Sequence, residues 1–486
     1  MKRVTFTHFF RLLDRDKIYV TIPIHHIPSI IIIQYIMRKL LFLLLLLPVA
    51  LCGANREKPV TVSREAAIAD LDSLVALIEE VEVEPYSQLD KEVFYKAVAD
   101  AKSSFTTDSI TPRQMYLTIS RLVGMFRQGH LGVSTAYNII GADKVFPLAN
   151  IIKIEPGSHK IIITFDTTVG DIPVKQGEEI LSVNGQKAQA LVDKFLKHTS
   201  WETDAFGCKE LSEIMDYMLW CENPDTQTFK VELSDKGKKR TVTFNSLPLK
   251  ECPSAPKKKY KPYEYQMLND SVMLFSFKSC TWDREFSYFL RKMFKEAKDK
   301  NVAHLIIDVR NNGGGNSNAG DEVCRYLTDR EFSGFGGSKI KMSQKIMDKY
   351  KGIMDLPYKV DSIYNYMEQD ELEMNLPYEA KYRFPGKTYL LTGPGTFSSA
   401  SNFAWAYWKF VPGTVIGEET GGVNICVGDV ITETLPNSKY SIYLPWKVFY
   451  HYGAKDGDPI HGTIPDIKVA EEQALDRTLQ LIETGK

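Results

Sequence analysis

The chain has 486 residues with a formal net charge of -1 and 44% hydrophobic residues, a composition typical of a globular protein. A chain of this length holds about two to four domains. The charges nearly balance and the basic residues are scattered, which excludes nucleic-acid binding as a first interpretation.

The segment that begins at Met37 has the order of a secretory signal. Arg38 and Lys39 precede an apolar run, and small residues follow. The run is short for a membrane-crossing helix, which needs about 20 residues. Because the residues before Met37 do not fit this order, we expect translation to start there and interpret residues 1–54 as a spurious extension plus a signal peptide. The sequence therefore predicts export to the periplasm or cell envelope.

Cys52 leaves two routes of processing open. Cleavage near Ala54 releases the chain, whereas a lipid on Cys52 anchors it to a membrane. A lipoprotein signal requires a small residue before the cysteine, and Leu51 is not small. Six further cysteines follow, at positions 208, 221, 252, 280, 324 and 426. None forms a CxxC pair, so neither a zinc nor a redox site is expected, and the pairing of any disulfides stays open.

Residues 55–135 are predicted to form a helical N-terminal domain. Apolar residues recur at helical spacing after Ser63, a candidate N-cap. A second helix begins at Thr111-Pro112-Arg113-Gln114, which has the order of a capping box with proline at the first helical position. The apolar stripe of this helix is Met115, Ile119, Leu122 and Phe126. It ends directly before the Gly129-His130 step.

Residues 140–250 are predicted to be β-rich. They hold a buried-strand run at 160–165, a helical stretch from Ala188 to Leu196, and two strands joined by a turn at 235–239. Between the first strand and the helix, the sequence GDIPVKQGEEILSVNG at 170–185 resembles a PDZ-type module. We therefore expect a PDZ-like module in this part of the chain.

Residues 260–486 are predicted to form an α/β layer domain after a Pro- and Lys-rich linker. Unbroken apolar runs, typical of buried parallel strands, alternate with helical segments. The clearest strands lie at 272–277, 304–309, 388–393 and 414–417. A charged and tyrosine-rich segment, 339–384, interrupts this alternation. We interpret it as an insertion near the site and a candidate lid.

The most informative segment for chemistry runs from Gly393 to Asn402. A buried strand ends in a Gly/Pro turn, and a helix begins at its serines. The free amides and the dipole of a helix N-terminus favour negative charge, such as a serine alkoxide or an oxyanion. The alternative interpretation is that Thr396 or Ser398 is only an N-cap.

A glycine-rich turn follows the strand that ends at Asp308. The sequence Asp308-Val-Arg-Asn-Asn-Gly-Gly-Gly315 opens a helix, and its glycines let backbone N–H groups approach a ligand closely. It is a candidate source of an oxyanion donor. The alternatives are a simple tight turn and a phosphate cradle. The P-loop lysine and the GxGxxG spacing are both absent, which disfavours nucleotide binding.

His130 is the third candidate for chemistry. It follows a helix and is flanked by Gly129 and Gly132, which leave room around its ring. A neutral imidazole is the usual base for a serine hydroxyl near pH 7. The alternative is a structural or surface histidine. His451 and His461 are interpreted as loop histidines rather than metal ligands.

These three segments, in this order, resemble the tail-specific (C-terminal-processing) and tricorn-core serine peptidases. The glycine turn resembles the family's D-L-R-x-N-x-G-G, and the stretch from Thr396 resembles its nucleophile segment T-F-S-x-A-E. Residues 417–422 match G-E-x-T-x-G, and residues 462–467 match G-x-x-P-D-I. Upstream, residues 122–130 match L-x-D-G-H-T. The resemblance covers nearly all of the chain after the signal.

The resemblance implies a multidomain α/β fold with a helical N-terminal cap, a PDZ-like β-rich module and a ClpP/crotonase-like catalytic core. It also implies Ser398 as the nucleophile, with Ser399 as the fallback. The tail-specific branch uses a lysine downstream of the serine, but residues 422–428 contain none. The tricorn-like branch uses a histidine, which His130 supplies. The glutamate of that branch is missing, and the candidates for the third member are Asp458, Asp456 and Glu418.

These features predict an exported serine peptidase that acts on a polypeptide or peptide through an acyl-enzyme. The expected oxyanion donors are the N–H groups of Gly314 and Ser399, and the expected substrate-binding residues are Gly313, Gly315 and Thr396. An extended peptide end is expected to bind by β-augmentation at the PDZ-like module or a neighbouring sheet edge. No cofactor or metal is expected, and the oligomeric state is open. The alternatives are a catalytically inactive protein that binds peptides or hydrophobic ligands, and a hydrolase of small esters.

Overall fold

The structure, a computed structural model, describes residues 57–140, 143–254, 259–351, 358–366 and 374–485. The expected start at Met37, the signal peptide and the candidate lipid site Cys52 lie outside these residues. No helix in the described part of the chain is long and apolar enough to cross a membrane.

The first part of the described chain is mainly helical, with three two-residue strands before, between and after its helices. Its elements are β1 (Val62–Ser63), α1 (Arg64–Val81), α2 (Lys91–Ser104), β2 (Ser109–Ile110), α3 (Pro112–Val123) and β3 (Gly132–Val133). The Ser63 side chain accepts a hydrogen bond from the N–H of Ala66, and Thr111 forms a capping box with Gln114. Both predicted helix starts are therefore confirmed. The apolar stripe of α3 is buried, also as predicted.

The next region is built around an antiparallel sheet. Its elements are β4 (Lys144–Val145), β5 (Ile152–Ile154), β6 (Ile161–Ile163), β7 (Thr167–Val169), β8 (Ile172–Val174), β9 (Glu179–Val183), β10 (Gln186–Lys187), α4 (Ala188–Phe195), α5 (Asp204–Glu222), β11 (Thr228–Asp235), β12 (Lys238–Asn245) and β13 (Leu247–Pro248). The strand order is β12-β11-β9-β6-β5, with β10 beside β9. The predicted hairpin is confirmed, because β11 and β12 pair from Asp235 opposite Lys238.

The rest of the chain alternates strands and helices, as its sequence predicts. The elements are β14 (Tyr263–Met267), β15 (Val272–Phe277), α6 (Arg284–Asp299), β16 (His304–Asp308), α7 (Ser317–Leu327), β17 (Phe335–Met342), α8 (Gln344–Lys349), β18 (Ser362–Tyr366), β19 (Lys387–Thr392), α9 (Ser399–Phe410), β20 (Thr414–Gly417), β21 (Ile425–Thr434), β22 (Ser441–His451), β23 (Ile467–Lys468) and α10 (Ala474–Thr484). The main sheet has the order β14-β15-β16-β19-β20-β23 and is parallel from β15 onward.

Both faces of the main sheet are covered by helices, which is why its central strands β15, β16 and β19 are largely apolar. Residues of α6, α7 and α9 share one hydrophobic cluster with β15 and β16, and α10 packs on the opposite face. Helices α7 and α9 lie very close together, because a Cβ on Gly320 would come within 2.7 Å of the Phe403 Cβ. These two helices begin directly after the glycine turn and the serine turn.

A second sheet of this region, β18-β17-β22-β21, fixes the segment that follows His130. Strand β3 pairs with β22, with Val133 opposite Ile442 and Gly132 opposite Tyr443. The same sheet corrects one expectation. Residues 339–342 belong to β17 and pair with β18 and β22, so the segment expected as an insertion begins inside a sheet.

The six cysteines from Cys208 to Cys426 are unpaired, and all except Cys426 are buried. The disulfides that export permits are therefore not formed among the described residues.

Candidate active site

Ser398 lies in the turn between β19 and α9. Its backbone has φ 51° and ψ −126°, a left-handed conformation that costs a non-glycine residue about 1–3 kcal/mol. Its hydroxyl makes no capping hydrogen bond to the helix. The Oγ lies instead 3.1 Å from the Nε2 of His130. Ser398 therefore stands at the N-cap position of α9 without capping the helix through its side chain, and the strained turn presents its hydroxyl to an imidazole.

Thr396 helps to hold this turn in place. Its fully buried hydroxyl donates to the carbonyl of Val309 at 2.8 Å and accepts from the N–H of Gly393 at 3.2 Å. The expected role of Thr396 in substrate binding is thus not supported, because its polar atoms join the serine turn to the end of β16.

His130 reaches Ser398 from the loop after α3. Arg127 turns the chain with a left-handed φ of 54°, and β3 then ties the loop to β22. The imidazole stacks on the ring of Phe397, with 4.6 Å between ring centroids. Phe397 in turn stacks on Phe206 of α5 at 4.2 Å. Three separate parts of the chain therefore hold the histidine beside the serine.

Gly129 is required for this approach. A Cβ at this position would lie 2.6 Å from Oε2 of Glu202 and 2.7 Å from Cζ of Phe397. Glycine at 129 is therefore required by the packing of Glu202 and Phe397 against the loop, and the predicted room around the His130 ring itself stays a prediction. The second flanking glycine, Gly132, is less constrained, since a Cβ there would meet only Tyr443 at 3.4 Å.

Burial dominates the electrostatics of His130. It lowers the pKa of the imidazole to about 4, and the negative charge of Asp429 opposes this shift only in part. The ring is therefore neutral near pH 7, the form that accepts a proton. Its Nδ1 is buried and has no hydrogen-bond partner among the described residues.

No predicted third member contacts His130. Asp458 accepts from the N–H of Lys455 at 3.0 Å, and Asp456 binds the Tyr450 hydroxyl and the Lys339 ammonium. Glu418 lines a different cavity of about 1020 Å³, which neither Ser398 nor His130 lines. The assignments of Asp458 and Glu418 as catalytic are therefore not supported, since neither carboxylate reaches the imidazole.

The glycine turn meets Ser398 because β16 and β19 are parallel neighbours, with Asp308 in register with Leu391. Within the turn, the Arg310 guanidinium binds both carboxylate oxygens of Asp308 at 2.9 and 2.6 Å. The fully buried Asn312 donates to the carbonyl of Phe277 and accepts the N–H of Gly314 at 2.9 Å. The expectation that the Gly314 N–H is a free oxyanion donor is therefore not met in this arrangement.

Gly314 has a different role, which is to leave space. Its φ is 103°, and a Cβ would lie 2.8 Å from the Ser398 Cβ and 2.9 Å from the Ser399 nitrogen. Ser399 is the first residue of α9, so its N–H has no partner within the helix. The side chain of Ser399 donates to the carbonyl of Gly315 at 2.7 Å. Glycine at 314 thus keeps the Ser399 N–H accessible beside the nucleophile.

Sequence patterns did not single out several residues that shape this site. Phe397 and Phe206 carry no motif that marks them as supports for a histidine. Asn312 stands inside the glycine-turn pattern, so that pattern was the available signal. No sequence pattern marked Glu202, because its proximity to Gly129 arises from the folding of distant segments.

One group of possible metal donors lies elsewhere in the described residues. Donor atoms of His159, Asp204 and Cys208 lie within 4.8 Å of one another. The imidazole contacts Asp193 at 2.6 Å and Asp204 at 3.0 Å. Burial alone would lower the pKa of His159, but these two carboxylates outweigh it and raise the pKa. A protonated imidazole between two carboxylates satisfies the group without an ion.

The family comparison covers the part of the site that holds Ser398 and the glycine turn. Residues 272–469 match the sequence profile of peptidase family S41. The S41 segment contains Ser398 and the glycine turn, whereas His130 precedes it. The chain is accordingly a serine-type peptidase whose substrates are polypeptides.

Solved structures extend the likeness beyond the S41 segment. A structure of mature CPAF complexed with lactacystin has a TM-score of 0.62 and 14% identity, and covers 86% of this chain and 98% of that chain. Another of mature CPAF has a TM-score of 0.61 and 13% identity, and covers 86% and 96%. At these identities the likeness establishes the fold alone, a mixed α/β multidomain fold. A comparison with curated protein sequences gave no match.

Proposed function

We propose that the chain is an exported serine peptidase that cleaves peptide bonds through an acyl-enzyme on Ser398, with His130 as general base. The observation that carries this proposal is the 3.1 Å separation between Ser398 Oγ and His130 Nε2. A nucleophile within hydrogen-bond reach of a base is the geometry that activates a serine hydroxyl. The strained turn supports it, because strain of this kind persists where function requires the conformation.

The chemistry follows the usual order for such a pair. Ser398 Oγ attacks the scissile carbonyl carbon while His130 Nε2 takes the hydroxyl proton. The protonated imidazole then gives that proton to the leaving amine, and an acyl-enzyme ester remains on Ser398. Water then attacks the ester carbonyl while His130 Nε2 takes a proton from it, and His130 gives that proton to Ser398 Oγ as the carboxylic acid leaves.

The oxyanion formed in each step needs donors near Ser398. The Ser399 N–H is our first candidate, because it lies at the N-terminus of α9 next to the space left by Gly314. A Gly314 donor would require its N–H to leave Asn312 Oδ1. Loss of one such donor costs roughly 3–4 kcal/mol in enzymes of this kind.

Fluorophosphonate labelling tests the proposed pair. The purified protein, Ser398→Ala, Ser399→Ala and His130→Ala are incubated with a fluorophosphonate probe, and the labelled peptide is identified by mass spectrometry. We expect the parent and Ser399→Ala to label on Ser398, and the other two variants not to label. Labelling of Ser398→Ala contradicts the nucleophile assignment.

The unpartnered Nδ1 of His130 favours the alternative function, a binding protein on the same fold. Peptide turnover separates the two. If the parent neither labels nor cleaves a peptide library but binds peptides, the binding function stands instead. A preference for small esters over peptides indicates the ester-hydrolase alternative.

Export is the part of the proposal that the sequence alone supports. The basic, apolar and small residues from Met37 onward carry it. N-terminal sequencing of the protein after expression with a C-terminal tag is expected to find a start just after Ala54, or a blocked, lipid-bearing Cys52. Retention of residues 1–36 contradicts the assigned start.

A further inference from the structure

A short segment, residues 200–206, contacts the His130 loop at both of its ends. At one end, Ser200 binds the main chain of Gln128, which lies 72 residues earlier in the chain. At the other end, Phe206 stacks on Phe397, and Phe397 stacks on the imidazole of His130. One segment distant in sequence therefore supports both the backbone and the ring of the proposed base.

Ser200 binds both main-chain groups of Gln128 with its single hydroxyl. The Oγ accepts the N–H of Gln128 at 2.9 Å and donates to the carbonyl at 2.8 Å. The same carbonyl accepts the N–H of Leu131 at 3.0 Å, which closes a turn with Gly129 and His130 at its two central positions. Ser200 is thus bonded to the residue at which the turn that carries His130 begins.

The residue after Ser200 holds the chain just before this turn. The guanidinium of Arg127 lies over the ring of Trp201, 4.3 Å from its centroid. The indole is itself held tightly, because its Nε1 donates to the carbonyl of Leu196 at 3.1 Å and a Cβ on Gly207 would lie 2.8 Å from its Cγ. The stack therefore fixes Arg127 against a rigid support.

Glu202 completes the set of contacts by lying against Gly129. A Cβ on Gly129 would come within 2.6 Å of the Glu202 Oε2. Burial raises the pKa of Glu202 to about 7, and the N–H of Gly129 opposes this shift because it favours the charged carboxylate. Three consecutive residues, 200–202, thus contact the three consecutive residues 127–129.

The proposed base needs such support. In a serine triad, the third member holds the imidazole in its working orientation. Among the residues that the structure describes, Nδ1 of His130 has no partner, and Nε2 contacts only Ser398 Oγ. The place of the imidazole consequently depends on the turn that carries it, and a misplacement of about 1 Å costs on the order of 100-fold in rate.

We propose that Ser200 is a positioning residue for His130, which fixes the turn that presents the imidazole through both main-chain groups of Gln128, with Trp201 and Glu202 as its supports. The proposal rests on the proposed function, because a base requires positioning only where Ser398 is a nucleophile. It assigns to main-chain hydrogen bonds the task that a carboxylate on Nδ1 has in a triad.

Ser200→Ala tests the proposal by removing both hydrogen bonds to Gln128. We expect the rate of fluorophosphonate labelling at Ser398 to fall about tenfold or more. For a cleaved peptide, kcat should fall by a similar factor while KM stays within about twofold, because a displaced base affects the chemical step. Ser200→Thr, which keeps the hydroxyl, should label within about threefold of the parent.

Ser212→Ala is the matched control. The Oγ of Ser212 also accepts a main-chain N–H, that of Ile154 at 2.9 Å, and donates to a main-chain carbonyl, that of Cys208 at 2.7 Å. Urea denaturation should show a similar loss of stability in Ser200→Ala and Ser212→Ala. Only Ser200→Ala should label more slowly than the parent.

Arg127→Ala supplies a second test at an exposed position, where folding is not at risk. It removes the stack on Trp201, and we expect labelling to slow about two- to fivefold. Parent rates in both Arg127→Ala and Ser200→Ala overturn the proposal. An equal loss of labelling in Ser212→Ala also overturns it, because the effect would then reflect stability alone.

Hydrogen exchange keeps the positioning role separate from catalysis. Amide exchange of a peptide that covers residues 127–131 is followed by mass spectrometry in the parent, Ser200→Ala and Ser212→Ala. We expect faster exchange in Ser200→Ala only. If this result is found but the parent does not label, the peptidase function fails alone and Ser200 stands as the support of the loop. Unchanged exchange in Ser200→Ala overturns the proposal, whatever the labelling shows.

Discussion

The two halves of the candidate site are held in place by different means. Ser398 and the glycine turn sit at the ends of β19 and β16, where sheet register and buried hydrogen bonds fix them. His130 sits on a loop held by a two-residue strand and by stacked rings. The first half is set by the core of the S41 segment, whereas the second depends on contacts between distant parts of the chain.

This difference teaches where the site is most easily disturbed. The serine side cannot move without breaking hydrogen bonds between the serine turn and the glycine turn, such as Phe397 N–H to the Asn312 carbonyl at 3.0 Å. The histidine side lacks a hydrogen bond at Nδ1 among the residues described, so packing and the single contact of Nε2 with Ser398 set its ring orientation. Changes on the serine side should cost stability and activity together, and changes on the histidine side mainly activity.

The largest effect is expected for Gly314→Ala. Its φ of 103° and the 2.8 Å approach to the Ser398 Cβ force the turn to shift. We expect a loss of about 2–5 kcal/mol in the free energy of unfolding and of about 100-fold or more in kcat/KM. Gly313→Ala is the control, because nothing lies within 4 Å of its Cβ position. Urea denaturation and peptide cleavage measure both, and equal behaviour of the two variants contradicts the prediction.

Gly129→Ala tests the histidine side in the same way. The added Cβ meets Glu202, Phe397 and Phe206 within 3 Å and should displace the imidazole. We expect kcat/KM to fall about 100-fold, with about 1–3 kcal/mol lost in stability. Gly132→Ala, whose Cβ makes only an ordinary contact with Tyr443, should stay near the parent. If Gly129→Ala loses stability but keeps its activity, packing at this position does not set the ring orientation.

Phe397→Leu should have a smaller effect, since it removes two ring stacks and keeps the volume largely filled. We expect a loss of about 1–3 kcal/mol in stability and of about tenfold in kcat/KM. A fall in kcat that is larger than the rise in KM indicates that the stack positions the base, because a misplaced base slows the chemical step. An unchanged kcat shows that the stack does not position His130.

The smallest expected effect is on the pH profile. Because burial lowers the pKa of His130 to about 4, the acid limb of kcat/KM should lie near pH 4 and not near pH 6.5. The unfolded chain takes up this proton first, so stability from the neutral ring is complete above pH 6.5 and is lost as pH falls towards 4. An acid limb near pH 6.5 would show that a carboxylate reaches Nδ1 in the working enzyme.

Much of the local structure could be predicted from the sequence. The capping box at Thr111, the hairpin near 235–238 and the apolar strands of the main sheet follow from patterns of adjacent residues. The motif resemblance also indicated Ser398 and the Gly314 turn. Each of these features depends on a few consecutive residues, whose conformational preferences do not require contacts with the rest of the chain.

The sequence by itself thus determined the nature of most elements and the likeness of the core to peptidase family S41, and it indicated Ser398 and His130. Only the tertiary structure decided that Phe397 and Phe206 support the histidine and that Asn312 occupies the Gly314 N–H. It also removed Asp458 and Glu418 from contact with His130. The physical reason is that burial and partnership of a polar group depend on segments far apart in the chain, which no local pattern brings together.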